Sequence, residues 1–178
     1  MTDNKIITDR EEMLEAVKED GWALKDASES LKADREVVLE AVRNHGSALQ
    51  FASDTLKSDR EVVLEAVKTF TVFDYIDDSF RSDREVVLAA VKNDGRALQY
   101  VDESLWSDRE VVLEAVKTDE GLEGEEALMF ADESLQADRE VVLAAVKQCP
   151  WVLEFASEEL QNDPELKNLL KASLNKTG

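Results

Sequence analysis

The stretch Asp34-Arg35-Glu36-Val37-Val38-Leu39-Glu40-Ala41-Val42-Arg43 decides the fold of this chain, because close copies of it recur along the sequence. Successive copies start about 25 residues apart, and a period this short is typical of stacked structural repeats. The first copy is diverged and the last is a half copy. The copies start at Asp9, Asp34, Asp59, Asp83, Asp108, Asp138 and Asp163.

These copies divide the chain into six repeats and a terminal piece. No Gly/Ser-rich or Pro-rich linker interrupts the series, so we expect one continuous array that forms a single domain over residues 1–178. The predicted repeats span residues 8–32, 33–57, 58–81, 82–106, 107–136 and 137–161, followed by a C-terminal cap at 162–178.

Each repeat opens with a predicted α-helix that is capped by its aspartate. Asp34 is placed to accept backbone N–H bonds at the N-cap, and Glu36 is favourable near the positive end of the helix dipole. In the last copy Pro164 follows Asp163, and proline is favoured at the first helical position, which supports aspartate as the cap. The alternative caps are the serines that precede three of the aspartates, Ser58, Ser82 and Ser107.

The helix after Asp34 is apolar around most of its circumference. Its apolar residues are Val37, Val38, Leu39, Ala41 and Val42. Its polar line, spaced for one face of a helix, consists of Glu36, Glu40 and Arg43. A helix of this kind needs neighbours on two sides.

The second half of each repeat is predicted as a shorter helix, at about residues 47–52 in the second repeat. Gly21, Gly46 and Gly95 precede this helix, and we expect them to end the first helix in a left-handed C-terminal cap. Aromatic side chains recur in the second half, and we expect them to pack between successive repeats. They are Phe51, Tyr75, Tyr100, Phe130 and Phe155, whereas the first repeat has Asp26.

The predicted fold is therefore all-α. It is a short right-handed α-solenoid of six helix-turn-helix repeats plus a C-terminal capping helix. The final helix carries Lys167, Asn168 and Lys171, which make it more polar and locally basic, as expected of a terminal cap.

The repeat pattern resembles the helical-repeat family catalogued as domain of unknown function 4116 (DUF4116). The recurrence of Asp-Arg-Glu-Val-Val-Leu carries the resemblance, which extends from about Thr8 to Leu170. It implies a tandem-repeat fold and brings no catalytic residue, cofactor or substrate to this chain. The sequence departs from the pattern at Thr69 to Phe73, where aromatic residues replace a glycine turn, and at the longer loop Thr118 to Glu126. Recent duplication and consensus engineering both remain open as origins of the near-identical copies.

Composition narrows the function classes. The chain has a formal net charge of −20 and 43% hydrophobic residues, which is apolar enough for a folded core. One Cys and one His supply no disulfide framework, no Cys/His zinc cluster and little material for nucleophile–histidine catalysis. No membrane-length apolar run and no secretory h-region occur. We expect a soluble, cytoplasmic, non-enzymatic protein without cofactor or metal.

Two features that carry reactive groups have structural interpretations. His45 and Cys149 occupy the same variable turn position of different repeats, and we interpret both as structural. The acidic loop Asp119–Glu126 could attract a hard cation such as Ca²⁺, but it lacks the spacing of an EF-hand. Weak, non-specific cation attraction is the preferred interpretation, and the loop is the most plausible place for a function-specific insertion.

Aromatic residues at otherwise polar repeat positions are candidate interface anchors. Trp106 stands where other repeats place Lys, Arg or Gln, Trp151 where they place Ser, Thr, Arg or Glu, and Phe70 where they place glycine. Trp22 shares the position of Trp151 and can cover the N-terminal end of the array. Local packing over a neighbouring repeat is the alternative for each of them.

Acidic residues recur just after the second helix of each repeat. In a regular stack they should form an acidic ridge along one edge, which is either a binding surface or a solvated face. The ridge residues chosen as binding candidates are Asp77, Asp78, Asp102, Glu103, Asp132 and Glu133, and the same positions hold Glu29, Asp54 and Glu158 in other repeats.

These features predict a non-enzymatic binding or scaffold module whose acidic solenoid surface engages another protein, with a basic partner favoured by the charge. We expect no direct binding to nucleic acid or membrane, and a monomer when the chain is alone. The alternatives are an acidic nucleic-acid mimic that occupies a DNA- or RNA-binding protein, and an assembly subunit or engineered repeat without a specific partner. An enzyme would require a paired-carboxylate site.

Overall fold

The computed structural model describes residues 6–69, 72–119 and 127–174, and regular structure within these ranges is helical. A single β-type bridge joins Ile7 and Ala27 there in parallel. The all-α repeat-solenoid class predicted from the sequence is confirmed. Internal contacts group the residues into two compact units, Met1–Arg81 and Ser82–Gly178. Their boundary coincides with the predicted boundary between the third and fourth repeats.

In the first unit, a repeat begins with a long α-helix and continues with a 3₁₀ helix and one turn of α-helix. The described elements are α1 (Arg10–Glu19), a 3₁₀ helix (Gly21–Asp26), α2 (Glu29–Lys32), α3 (Arg35–Asn44), a 3₁₀ helix (Gly46–Phe51), α4 (Asp54–Lys57), α5 (Arg60–Val67) and a 3₁₀ helix (Asp78–Arg81). The shorter helix predicted at about residues 47–52 is present as the 3₁₀ helix Gly46–Phe51, and the one-turn helix α4 that follows it was not predicted.

The second unit has the same plan and ends in a longer helix. Its described elements are α6 (Arg84–Asn93), a 3₁₀ helix (Gly95–Tyr100), a 3₁₀ helix (Glu103–Leu105), α7 (Arg109–Thr118), α8 (Ala127–Phe130), α9 (Glu133–Gln136), α10 (Arg139–Gln148), a 3₁₀ helix (Pro150–Phe155), α11 (Glu158–Gln161) and α12 (Pro164–Leu174). Within this unit α7 packs between α6 and α10, and α12 packs against α10.

Aspartate caps the long helices, as the sequence predicts. Oδ1 of Asp34 accepts the backbone N–H groups of Glu36 at 3.0 Å and Val37 at 3.2 Å. Asp163 does the same before Pro164. A cap of this type stabilises a helix by about 1 kcal/mol. The serines that precede the aspartates are therefore not the caps.

The apolar positions of the long helices form the core. In α3, the five predicted core residues from Val37 to Val42 are all buried. The helix packs against α1 on one side and α5 on the other, which confirms that it needs neighbours on two sides. Val72 and Phe73, in the stretch that departs from the repeat pattern, are also core residues of the first unit.

The conserved-looking glycines permit close approach and are not left-handed caps. His45, which ends α3 before Gly46, has an extended φ of −142°. A Cβ on Gly46 would lie 2.2 Å from the carbonyl oxygen of Ala66, and one on Gly95 would lie 2.1 Å from that of Ala115. The prediction of left-handed caps was therefore wrong. Each glycine instead lets its 3₁₀ helix contact the backbone of the next long helix.

Candidate functional site

An arginine ladder joins successive repeats within each unit. The arginine at the start of one long helix donates to the capping aspartate and first-turn glutamate of the next. Arg109, for example, reaches Asp138 from Nε at 2.8 Å and Glu140 from Nη2 at 2.5 Å. The other described rungs join Arg10 to Asp34 and Glu36, Arg35 to Asp59 and Glu61, Arg84 to Asp108 and Glu110, and Arg139 to Asp163 and Glu165.

The ladder fixes the charge state of its members. The hydrogen bond from Arg109 holds the pKa of Asp138 below its usual value, and Arg84 does the same for Asp108. The carboxylates in turn raise the pKa of the arginines. These acidic groups are already paired with arginines of the same chain, so the ladder is a structural network and not the candidate binding surface.

In three repeats the ridge has two consecutive acidic residues, and the first of each pair organises a turn. Oδ1 of Asp77, Asp102 and Asp132 each accepts a backbone N–H at 2.9 Å, from the serine two residues on. Hydrogen bonds from the serine hydroxyls, and then from these N–H groups, lower the pKa of the three aspartates. All three are exposed, but each organises its own loop.

In each repeat of the first unit, the ridge acid at the position of Asp78 forms an ion pair with a cation. Glu29 pairs with Lys32 at 2.9 Å and Asp54 with Lys57 at 3.8 Å. Asp78 pairs with Arg81, from Nε, at 2.9 Å. Each cation lies three residues after its acid, where the two side chains share one face of the turn.

The corresponding acids of the second unit have no such cation. Three residues after them the sequence places Trp106, Gln136 and Gln161. Within the part of the chain that the structure describes, the three carboxylates form no ion pair, and all are exposed. We call them the second-unit carboxylate row: Glu103, Glu133 and Glu158.

The residue that replaces the cation keeps a second contact of Arg81, which is a hydrogen bond to a backbone carbonyl. In the first unit Arg81 also donates from Nη2 to the carbonyl of Phe73 at 2.8 Å. In the second unit Trp106 donates from Nε1 to the Leu98 carbonyl at 3.3 Å, and Gln136 reaches the Leu128 carbonyl at 3.2 Å. The neutral replacements keep this backbone contact and leave the carboxylate charge uncompensated.

The predicted aromatic anchors differ in exposure. Trp106 is half-buried, with its ring centroid 6.1 Å from that of Phe130 in the next repeat. Trp151 is 60% exposed. Trp22 packs edge-on against Phe51 of the next repeat, with ring centroids 5.5 Å apart. Two members of the predicted aromatic column, Phe51 and Phe130, therefore contact a tryptophan of the preceding repeat. Phe70 lies outside the described residues.

The reactive groups singled out in the sequence sit in structural surroundings. His45 is an exposed C-cap residue of α3, and its Nδ1 lies 2.7 Å from Oδ1 of Asn44. Cys149 is the C-cap residue of α10, and its thiol is free. Asp119 is buried and its Oδ2 accepts the N–H of Ala127 at 2.6 Å. The rest of the Asp119–Glu126 loop lies outside the described residues.

Among residues 6–69, 72–119 and 127–174 no group of three or more His, Cys, Asp or Glu side chains is arranged to hold a metal ion. None of the helices in those ranges combines the length and apolarity needed to cross a bilayer.

Comparison with known proteins identifies the repeat. A family model described as "Domain of unknown function (DUF4116)" matches residues 9–57, 34–81, 59–106, 83–136 and 108–161. Each match covers two successive repeats, which fits the pairing of repeats through the arginine ladder. No curated protein and no solved structure matches the chain.

Proposed function

Because the chain belongs to the DUF4116 family, whose description assigns no function, we propose from its own surface that it is a non-enzymatic module that binds a basic protein. The observation that supports this proposal is the second-unit carboxylate row. Equivalent acids in the first unit are paired with cations, whereas Glu103, Glu133 and Glu158 are exposed and uncompensated. Cytoplasmic location stays a prediction from the sequence.

The row suits a cationic partner for electrostatic reasons. Consecutive repeats present one carboxylate each at the same repeat position, so a lysine- or arginine-rich segment can pair with several of them at once. The net charge of −20 adds long-range attraction for the same class of partner. Each exposed ion pair between the row and a partner is weak and is weakened further by salt. The affinity for a partner therefore depends on how many pairs form at once.

Trp106 adds an apolar element next to the row. It follows Glu103 by three residues, and its ring is only half-buried against Phe130. An arginine or lysine that pairs with Glu103 can lay its alkyl stem or cationic head over the indole. This arrangement favours cationic side chains over metal ions.

The test restores the missing cations. Gln136→Arg/Gln161→Arg copies the Arg81 arrangement, which keeps the backbone contact and neutralises Glu133 and Glu158. The control, Lys32→Gln/Lys57→Gln, instead frees two carboxylates of the first unit. Each protein is used to capture partners from a lysate of its source organism, and the captured protein is then titrated as a pure component at two salt concentrations.

A partner that the wild type and the control retain, and that the Gln136→Arg/Gln161→Arg variant loses, is the expected result. Equal capture by both variants would reject the row as the binding surface. If the partner is a nucleic-acid-binding protein that free DNA or RNA displaces, the module acts as a nucleic-acid mimic. Capture of many basic proteins that all dissociate with salt would show charge attraction without a specific site.

A further inference from the structure

Neighbouring positions on the long helices face opposite neighbours. In α3 Val37 and Val38 are both fully buried. At the matching positions of α1, Glu12 is exposed and Met13 is buried, and α1 packs against α3 of the following repeat. The Val37 position therefore faces the preceding repeat, and the Val38 position faces the following one.

The following face of α12 carries two exposed cationic side chains among the described residues. Leu166, at the Val37 position, is fully buried toward α10. Lys167 and Lys171, at the positions of the buried Val38 and Val42, are exposed. Lys167 donates to the neutral Oδ1 of Asn162 at 2.8 Å, so this bond leaves its charge uncompensated. A face that elsewhere holds two buried valines thus presents two ammonium groups.

The preceding face of α1 has the opposite charge. Glu12 stands at the Val37 position and Glu19 at the position of Asn44, and both are exposed. Between them Ala16 is half-exposed, although its counterpart Ala41 is fully buried. The two faces that would meet if one copy of the chain followed another are therefore acidic on α1 and basic on α12.

Trp151 lies at the same end as the basic face. Its counterpart in the first repeat, Trp22, packs against Phe51 of the following repeat and is 39% exposed. Trp151 is 60% exposed, and its 3₁₀ helix packs against α12. An exposed indole beside two ammonium groups resembles the aromatic and cationic anchors of protein interfaces.

We propose that a second copy of this chain docks head to tail on α12, so that Glu12 and Glu19 of its α1 face Lys167 and Lys171, and Trp151 becomes buried in the contact. The inference goes beyond binding of a basic partner and does not use the second-unit carboxylate row. Salt screens the repulsion between the remaining negative charges of the two copies, with a Debye length of about 8 Å at physiological ionic strength. The contact replaces the expected monomer by species that grow with concentration, because a head-to-tail interface leaves one face free at each end.

Charge reversal tests the contact on the full chain. Lys167→Glu/Lys171→Glu makes both faces acidic, and Glu12→Lys/Glu19→Lys makes both basic. Sedimentation velocity is run between about 10 µM and 1 mM, the range in which a weak interface becomes populated. The wild type should self-associate, each variant alone should stay monomeric, and an equimolar mixture of the two variants should associate again.

Trp151→Ser, which introduces the Ser47 residue of the second repeat, should weaken wild-type association at least about tenfold, as expected for a central anchor. Circular dichroism melting of every variant controls for folding. A wild type that remains monomeric throughout the range would overturn the proposal. So would association that both charge reversals leave unchanged, or a mixture that fails to associate when each variant alone is monomeric. None of these outcomes bears on capture of a basic partner.

Discussion

Arg109 donates from Nε to Oδ2 of Asp138, the helix cap of the next repeat, at 2.8 Å. The other carboxylate oxygen of Asp138 accepts the backbone N–H groups of Glu140 and Val141. One side chain thus starts a helix and ties it to the previous repeat. All three polar residues of the Asp-Arg-Glu motif are used, because Glu140 accepts from the same arginine.

Replacing Asp138 separates its two roles. Asp138→Ala removes the cap and the ion pair, and the free energy of unfolding should fall by about 1 kcal/mol or more. Asp138→Asn keeps a good cap and removes the charge, so its loss should be smaller. Urea unfolding at neutral pH measures both, and combining Asp138→Asn with Arg109→Gln should cost less than the sum of the two single losses. Fully additive losses would contradict the pairing.

Acid should abolish the contribution of the ladder. Arg109 lowers the pKa of Asp138 in the folded protein, whereas an unfolded aspartate has a pKa of about 3.9. The stabilisation is therefore present above this value and is lost as the pH falls through the lower, folded pKa. The difference in unfolding free energy between wild type and Asp138→Asn should shrink toward zero at low pH. A difference that persists there would show that charge is not its cause.

Part of this network is readable from the sequence and part was missed. Residue spacing and cap chemistry predict the repeat period, the aspartate caps and the burial of each long helix on two sides. The role of Arg35 was overlooked because its partners, Asp59 and Glu61, lie one full period away. Opposite charges at matching positions of consecutive copies were the available signal.

The second half of each repeat was harder to predict. Six residues such as Gly46–Phe51 carry too little periodicity to distinguish a 3₁₀ helix from an α-helix. Gly46 suits both a left-handed cap and close contact with Ala66, and only the packing decides between them. The acidic ridge was predicted from the recurring acids alone, and the cation three residues later, such as Lys57 after Asp54, was not taken into account.

Adding a methyl group at Gly95 should disrupt the contact between its 3₁₀ helix and α7. Its Cβ would lie 2.1 Å from the backbone oxygen of Ala115, which cannot move without shifting the helix. Gly95→Ala should therefore reduce the free energy of unfolding by about 1–3 kcal/mol. Ser107→Ala, at an exposed serine that caps no helix, should change it by less than about 0.5 kcal/mol. Wild-type stability of Gly95→Ala would contradict the close approach.

The two second-unit tryptophans should behave differently when they are replaced. Trp106→Gln removes a ring that packs against Phe130, while glutamine can still donate to the Leu98 carbonyl. We expect thermal unfolding to reveal a loss of about 1–2 kcal/mol. Trp151→Ser changes an exposed side chain and should cost less than about 0.5 kcal/mol. Equal losses would mean that exposure does not separate their roles.

The most direct test of the proposed binding surface is an NMR titration of the labelled protein with an unstructured lysine-rich peptide. Amide shifts should change around residues 103–106, 133–136 and 158–161, where the carboxylate row is uncompensated. The matching first-unit segments, residues 29–32, 54–57 and 78–81, should change much less because their acids are already paired. Equal changes in both sets, or larger ones in the first unit, would contradict the account.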